Sequence, residues 1–145
     1  MSSHEQPGIL SNKIGSDGAY KDLLTVNTDN EFIEMKGNDV FKIAVNTMGK
    51  LAVSTLKENN ININDISWLI PHQANSRIIN AIAKKINLPK EKLIMTVSEH
   101  GNTSAASIPL AIDYANSRKM LKDNDLVMLE AFGAGFTWGS TLLRF

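Results

Sequence analysis

The chain has 145 residues, of which 43% are apolar and 21% charged, a composition that suits one ordinary globular domain. Fifteen Lys and Arg balance fifteen Asp and Glu, so bulk charge gives no reason to expect binding to nucleic acid or to a membrane. Cysteine is absent, which excludes disulfides, zinc–thiolate sites and a cysteine nucleophile supplied by these residues. No apolar run approaches the roughly 18–20 residues of a membrane span. Met1 to Pro7 lack the basic start and apolar stretch of a signal peptide, so the expected location is cytoplasmic.

Residues 8 to 26 mix glycines with apolar pairs such as Ile9-Leu10 and Leu23-Leu24, which predicts short strands parted by a turn at Ser16-Asp17-Gly18. Val26 to Asn30 reads as a surface loop. From about 39 to 58, Phe41, Ala44, Val45, Met48, Leu51, Ala52, Thr55 and Leu56 recur at helical spacing, with Asn38 or Asp39 as the cap and Asn59-Asn60 as the stop. Ile66 to Pro71 is nearly all apolar and too short for a helix, so it reads as a short buried strand. A second helix follows, capped by Asn75 or Ser76, with Ile78, Ile79, Ile82 and Ile86 inward and Arg77, Lys84 and Lys85 outward. Leu93 to Val97 reads as a further strand, and Ser104 to Met120 as a third long helix that carries Leu110 among its buried bulk. Leu126 to Phe132 and Phe136 to Phe145 are predicted strands joined by a tight turn at Gly133-Ala134-Gly135. Strands alternating with helices and closed by a hairpin predict α/β layers, with a mostly parallel sheet and one antiparallel strand.

Two polar knots stand just past the two central apolar runs: Pro71-His72-Gln73-Ala74-Asn75, and His100-Gly101-Asn102-Thr103-Ser104-Ala105-Ala106-Ser107. Strand, polar turn, then helix is how open α/β sheets present reactive side chains at the carboxyl ends of their strands. A single His or Asn after a strand is more often structural. Here both precede helix starts, where developing negative charge is favoured, and two N–H donors meeting at one point would make an oxyanion site. Too few ligands stand nearby for a metal, and no Gly-x-Ser-x-Gly elbow is present for a hydrolytic triad. The Gly133-Ala134-Gly135 turn suits either a plain hairpin or close backbone approach to a ligand. Arg77, Lys84 and Lys85, with Lys42 from the preceding helix, form either a solvated face or a docking patch for an acidic partner.

The two knots, the segment Gly37-Asn38-Asp39-Val40-Phe41-Lys42 and the ending Glu130-Ala131-Phe132-Gly133-Ala134-Gly135-Phe136-Thr137-Trp138-Gly139 together resemble β-ketoacyl-acyl-carrier-protein synthase III. That family starts type II fatty-acid synthesis on a thiolase-like fold of two similar halves. The resemblance implies the second half, a five-stranded mixed and mostly parallel sheet flanked by helices. It divides the chain into 1–26, a residual end of the first half and a linker, and 27–145, the C-terminal domain.

By the same resemblance, a first-half cysteine takes an acyl group from acetyl-CoA, and a His and an Asn polarise the thioester of malonyl-acyl-carrier protein as it loses carbon dioxide and condenses. These carry over to His72 and Asn102. The backbone N–H at Ala134, where relatives often have Gly, would help hold the acyl-enzyme oxyanion. Asn38, Phe41 and Asn75 match positions of the pantetheine tunnel. Gln73, Ala74, Asn75, Ser76 and Arg77 match the family's contact with carrier protein, and because carrier proteins are acidic, Arg77, Lys84, Lys85 and Lys42 are expected partners for them. No cofactor is implied, since acetyl-CoA and malonyl-carrier protein are substrates. The family is homodimeric, and no nucleic acid or membrane partner is expected. Without a cysteine the chain reads as one piece of a split or truncated acyltransferase. The alternatives are a non-catalytic carrier-binding module and an inactive gene product.

Overall fold

In the computed structural model, residues 7–29 and 31–145 are described. Asn30, at the end of the expected loop, and Met1 to Gln6, where a signal peptide was not expected, lie outside them. The chain runs β1 (Gly8–Ser16), β2 (Leu24–Val26), β3 (Ile33–Met35), α1 (Gly37–Glu58), β4 (Trp68–Pro71), α2 (Ser76–Lys85), α3 (Val97–His100), α4 (Ser107–Ser117), β5 (Leu126–Gly133) and β6 (Thr137–Arg144). A four-stranded sheet has the order β1-β6-β5-β4, while β2 and β3 pair separately. β1 is thus an edge strand of the main sheet, and the β2–β3 hairpin crosses the position where the linker was expected to end.

Two expectations are corrected here. The sheet has four strands rather than five. It is also not mostly parallel: β4/β5 is parallel, whereas β5/β6 and β1/β6 are antiparallel. The missing strand is Leu93 to Val97, which contributes only an isolated parallel bridge between Leu69 and Leu93, with the Ile94 N–H on the Leu69 carbonyl at 3.0 Å. Beyond it the backbone N–H groups of Thr96 and Val97 donate to Gln73 Oε1 at 2.7 and 3.1 Å. A side chain therefore takes the donors that a sheet ladder would need, and α3 begins at once.

β5 is buried on both faces over Leu126 to Met128, which explains the apolar run Leu126 to Leu129 ahead of Glu130. Leu126 and Met128 join the core beneath α1 and α2, with Met48, Leu51, Ile78 and Ile82. Val127 joins the opposite core beneath α4, with Ile70, Ala111 and Ala115. The inner face of α1 follows the predicted spacing, with Val40, Ala44, Met48, Leu51, Ala52 and Leu56 buried. Its start differs from expectation. The cap position is Lys36, with no side-chain cap bond, so neither Asn38 nor Asp39 caps the helix. Asp39 instead sits in the first turn, where its charge suits the positive helix end.

The expected helix from Ser104 to Met120 is split. Ser104 has φ of 50°, a left-handed geometry uncommon for a residue with a Cβ. A single 3-10 turn (Ser104–Ala106) leads into the shorter α4. Pro109 falls in the first turn of α4, where its missing N–H has no intrahelical partner to lose. Leu110 is exposed rather than part of the core.

Candidate active site

β4 and β5 run parallel and place the end of β4 against the middle of β5. The His72 N–H extends that ladder to the Glu130 carbonyl at 2.7 Å, so the ring emerges just past the carboxyl end of β4. The chain then turns tightly, with the Ala74 N–H on the His72 carbonyl at 2.9 Å. Asn75, rather than Ser76, caps α2: its Oδ1 accepts from the Ile78 N–H at 2.9 Å.

The second knot is set by α3 and by Gly101, whose φ of 69° and ψ of −164° suit glycine. Asn102 follows. Its Oδ1 accepts from the Ser104 N–H at 3.2 Å, which turns the carboxamide so that its Nδ2 hydrogens are available as donors.

The His72 ring is half-buried. It meets Phe132 edge to face, with centroids 5.7 Å apart, and its Nδ1 lies 2.7 Å from Ser107 Oγ. Burial holds the imidazole below its ordinary pKa, which favours the neutral ring. His72, Asn102 and Ala134 line one cavity of about 640 Å³, together with Phe132, Ile33 and Leu24. Three separate stretches of chain thus contribute to a single site. Its walls are largely apolar, a setting in which a fixed N–H donor acts more strongly than in water.

The Gly133-Ala134-Gly135 turn joins β5 to β6 as a hairpin, and its Gly133 and Ala134 also line the cavity. It is anchored to the end of β1 by a reciprocal pair, Asp17 N–H to Phe136 carbonyl at 2.9 Å and Phe136 N–H to Asp17 carbonyl at 3.0 Å.

Asn38, Phe41 and Asn75 line a second cavity of about 490 Å³. It shares Met35, Val40, Asn75 and Ile78 with the first, so the two adjoin. Arg77 stands at its rim, the guanidinium 5.5 Å from the centre of the Phe41 ring. Lys85 reaches from α2 to Asn46 Oδ1 on α1 at 2.8 Å, and its stem fills the space beside Gly49. Lys42 lies 3.9 Å from Asp39, and both are exposed. Arg77, Lys42 and Lys85 thus gather where α1 meets α2, while Lys84 is exposed on the next position of α2.

Gln73 departs from its expected place at the carrier-protein surface. It is 0% exposed, and its carboxamide is fully engaged inside. Nε2 donates to the Pro71 and Ile94 carbonyls at 2.7 and 3.3 Å, while Oε1 holds Thr96 and Val97 as described above. The side chain braces the end of β4 against the start of α3. Sequence reading also missed Ser107, whose hydroxyl meets both His72 and the Gln73 N–H, the latter at 3.2 Å. No local pattern marks either role, because both partners are distant along the chain.

A family model described as "3-Oxoacyl-[acyl-carrier-protein (ACP)] synthase III C terminal" matches residues 56–145. The chain is 50% identical to a β-ketoacyl-[acyl-carrier-protein] synthase III of Thioalkalivibrio sulfidiphilus, covering 100% of this chain and 48% of that protein. It is 47% identical to the synthase III of Salmonella typhimurium, with the same coverage of 100% and 48%. Among solved structures, 3-oxoacyl-[acyl-carrier-protein] synthase III of Aquifex aeolicus superposes with a TM-score of 0.93 at 40% identity, over 100% of this chain and 46% of that one. The Pseudomonas aeruginosa structure gives 0.93 at 38% identity, over 100% and 47%. The chain therefore spans about half the length of the curated relatives it matches. With a thiolase-like α/β fold and a family match over most of its length, the chain belongs to the 3-oxoacyl-[acyl-carrier-protein] synthase III family and corresponds to its C-terminal part.

Proposed function

We propose that His72 and Asn102 polarise the thioester carbonyl of a malonyl group while it loses carbon dioxide, the half-reaction that makes the carbon nucleophile for a decarboxylative Claisen condensation. The carrying observation is that both side chains, on separate segments, line one largely apolar cavity. In this step the bond between the malonyl α-carbon and its carboxylate breaks, and the electron pair moves through the α-carbon onto the thioester oxygen. Two N–H donors aimed at that oxygen stabilise the enolate. A neutral His72, favoured by its burial, can donate without giving up its proton.

The adjoining cavity at Asn38, Phe41 and Asn75 suits the pantetheine arm that would deliver the thioester. Arg77, which lines this cavity, and the exposed Lys42, Lys84 and Lys85 of α1 and α2 suit an acidic carrier protein. Bond formation then needs an acyl group on a thiolate. The 145 residues contain no cysteine, so in this reading a cysteine-bearing N-terminal half supplies the acyl-enzyme. Acetyl-CoA and malonyl-acyl-carrier protein would then give acetoacetyl-acyl-carrier protein, with the Ala134 N–H positioned at the acyl side.

The test is carbon dioxide release from malonyl-acyl-carrier protein, by the chain alone and with such a half added. His72→Ala and Asn102→Ala should each lower the rate about a hundred- to a thousandfold, the usual effect of removing one oxyanion donor. An unchanged rate in either variant removes that residue from the mechanism.

A further inference from the structure

Ser107 is the first residue of α4 and is 1% exposed. Its hydroxyl has two partners among the described residues: the Gln73 N–H, which donates to Oγ at 3.2 Å, and His72 Nδ1 at 2.7 Å. A serine hydroxyl carries one hydrogen and two lone pairs. The Gln73 N–H occupies one lone pair and leaves the hydrogen to be placed. If Nδ1 were protonated, it would donate to Oγ and leave the Ser107 O–H without an acceptor in a site closed to water. Buried hydroxyls are rarely left that way. If Nδ1 is bare, the O–H donates to it and every group is satisfied. The proton of a neutral imidazole then resides on Nε2, the nitrogen with no protein partner among the described residues, on a ring that lines the cavity.

We propose that Ser107 is a positioning residue that sets the His72 tautomer, so that the ring presents Nε2–H to the cavity. Which nitrogen of a histidine carries the proton is decided by the bond the other one makes. The Gln73 brace supports the arrangement from behind. By pinning the backbone between Pro71 and Ile94, it keeps the Gln73 N–H on Ser107 Oγ and so directs the hydroxyl hydrogen to Nδ1. Two further features oppose the charged ring, which would need a proton on Nδ1: burial of the imidazole and the positive end of α4 beside it. The proposal rests on the reading of His72 as an N–H donor and adds the group that makes it one.

The experiment is a long-range ¹H–¹⁵N spectrum of the histidine rings in the 145-residue chain, at a pH well above the ordinary imidazole pKa. The native chain should show a single His72 tautomer with a bare, hydrogen-bonded Nδ1 and a protonated Nε2. Ser107→Ala should admit the Nδ1–H form as a second population, and Ser107→Thr, which keeps the hydroxyl, should restore the native pattern. A protonated Nδ1 in the native chain overturns the proposal. So does a Ser107→Ala spectrum identical to the native one. Should Ser107→Ala fail to fold, the native spectrum still decides.

In the decarboxylation assay Ser107→Ala should lose about tenfold in rate, less than His72→Ala, because the donor remains but is no longer held in one form. If His72→Ala decarboxylates normally while the native spectrum shows Nε2–H, the catalytic reading fails and the tautomer assignment stands.

Discussion

Glu130 lies on the face of β5 that packs under α1, directly across from Ser140 on β6. It is 1% exposed, and neither carboxyl oxygen has a hydrogen-bond partner among the described residues. Burial pushes its pKa well above the ordinary glutamate value, because an unpaired carboxylate in an apolar interior is strongly disfavoured. The folded protein therefore favours the neutral acid more strongly than the unfolded chain does. Its folded-state pKa is raised above its unfolded value. The stability linked to it is accordingly fully present below about pH 4.3, the unfolded value, and is lost as pH rises through the folded pKa. Glu130→Gln removes that titration while keeping the side chain's size. Thermal midpoints of the two proteins should be closest in acid and diverge as pH rises towards neutrality, in favour of the variant. Each kcal/mol is worth about 3 °C in a chain of this length. Parallel curves across that range would show that Glu130 does not titrate differently in the two states.

At the level of elements, the joint between β4 and α3 depends on Gln73. Its four hydrogen bonds tie Pro71, Ile94, Thr96 and Val97 together. Gln73→Leu keeps the bulk but strands two N–H groups and two carbonyls. An orphaned buried donor or acceptor costs about 1–3 kcal/mol, and with the two donors dominating, a loss of about 3–5 kcal/mol in urea-unfolding stability is expected. A loss below about 1 kcal/mol would show that other groups close the joint.

The same joint divides what was legible in the sequence from what was not. β4 could be read because Trp68 to Pro71 is a short apolar run, and α2 because its isoleucines recur at helical spacing behind the cap at Asn75. Leu93 to Val97 has the composition of a strand, yet Gln73, 23 and 24 residues away, takes the N–H groups its pairing would require. Local pattern carries no trace of such a contact. Likewise, the run of small residues after Asn102 suits a helix start, but the left-handed geometry of Ser104 delays the helix to Ser107, and that delay brings the hydroxyl onto His72. Polar residues at strand ends marked His72 and Asn102 as candidates. Their shared cavity with Ala134 is a product of tertiary structure.

Across the whole molecule the sheet is covered unequally. On one face α1 and α2 span it as far as β1, where Lys13 reaches Ser54 and pairs with Glu58 on α1. On the other face α4 packs over Ile70 and Val127, near β4 and β5. Ile9, Asn12 and Ile14 of β1 stand opposite Leu143, Thr141 and Gly139 on that second face. Ile9 is 66% exposed and Ile14 92%. A cavity of about 290 Å³ lies there, lined by Ile14, Ile108, Ala131 and Thr141. An apolar patch bordering an open cavity marks a surface suited to association. Fully burying one isoleucine is worth about 1.5–3 kcal/mol, so the 145-residue chain in isolation should self-associate through this face at high concentration. Ile14→Lys replaces that gain with the desolvation of a charge, and should shift sedimentation towards monomer. Because Ile14 is almost fully exposed within one chain, the thermal midpoint measured in dilute solution should barely move, as is usual for surface substitutions. Unchanged association in Ile14→Lys would place the contact elsewhere, whereas a large fall in the midpoint would mean that Ile14 supports the fold of the single chain.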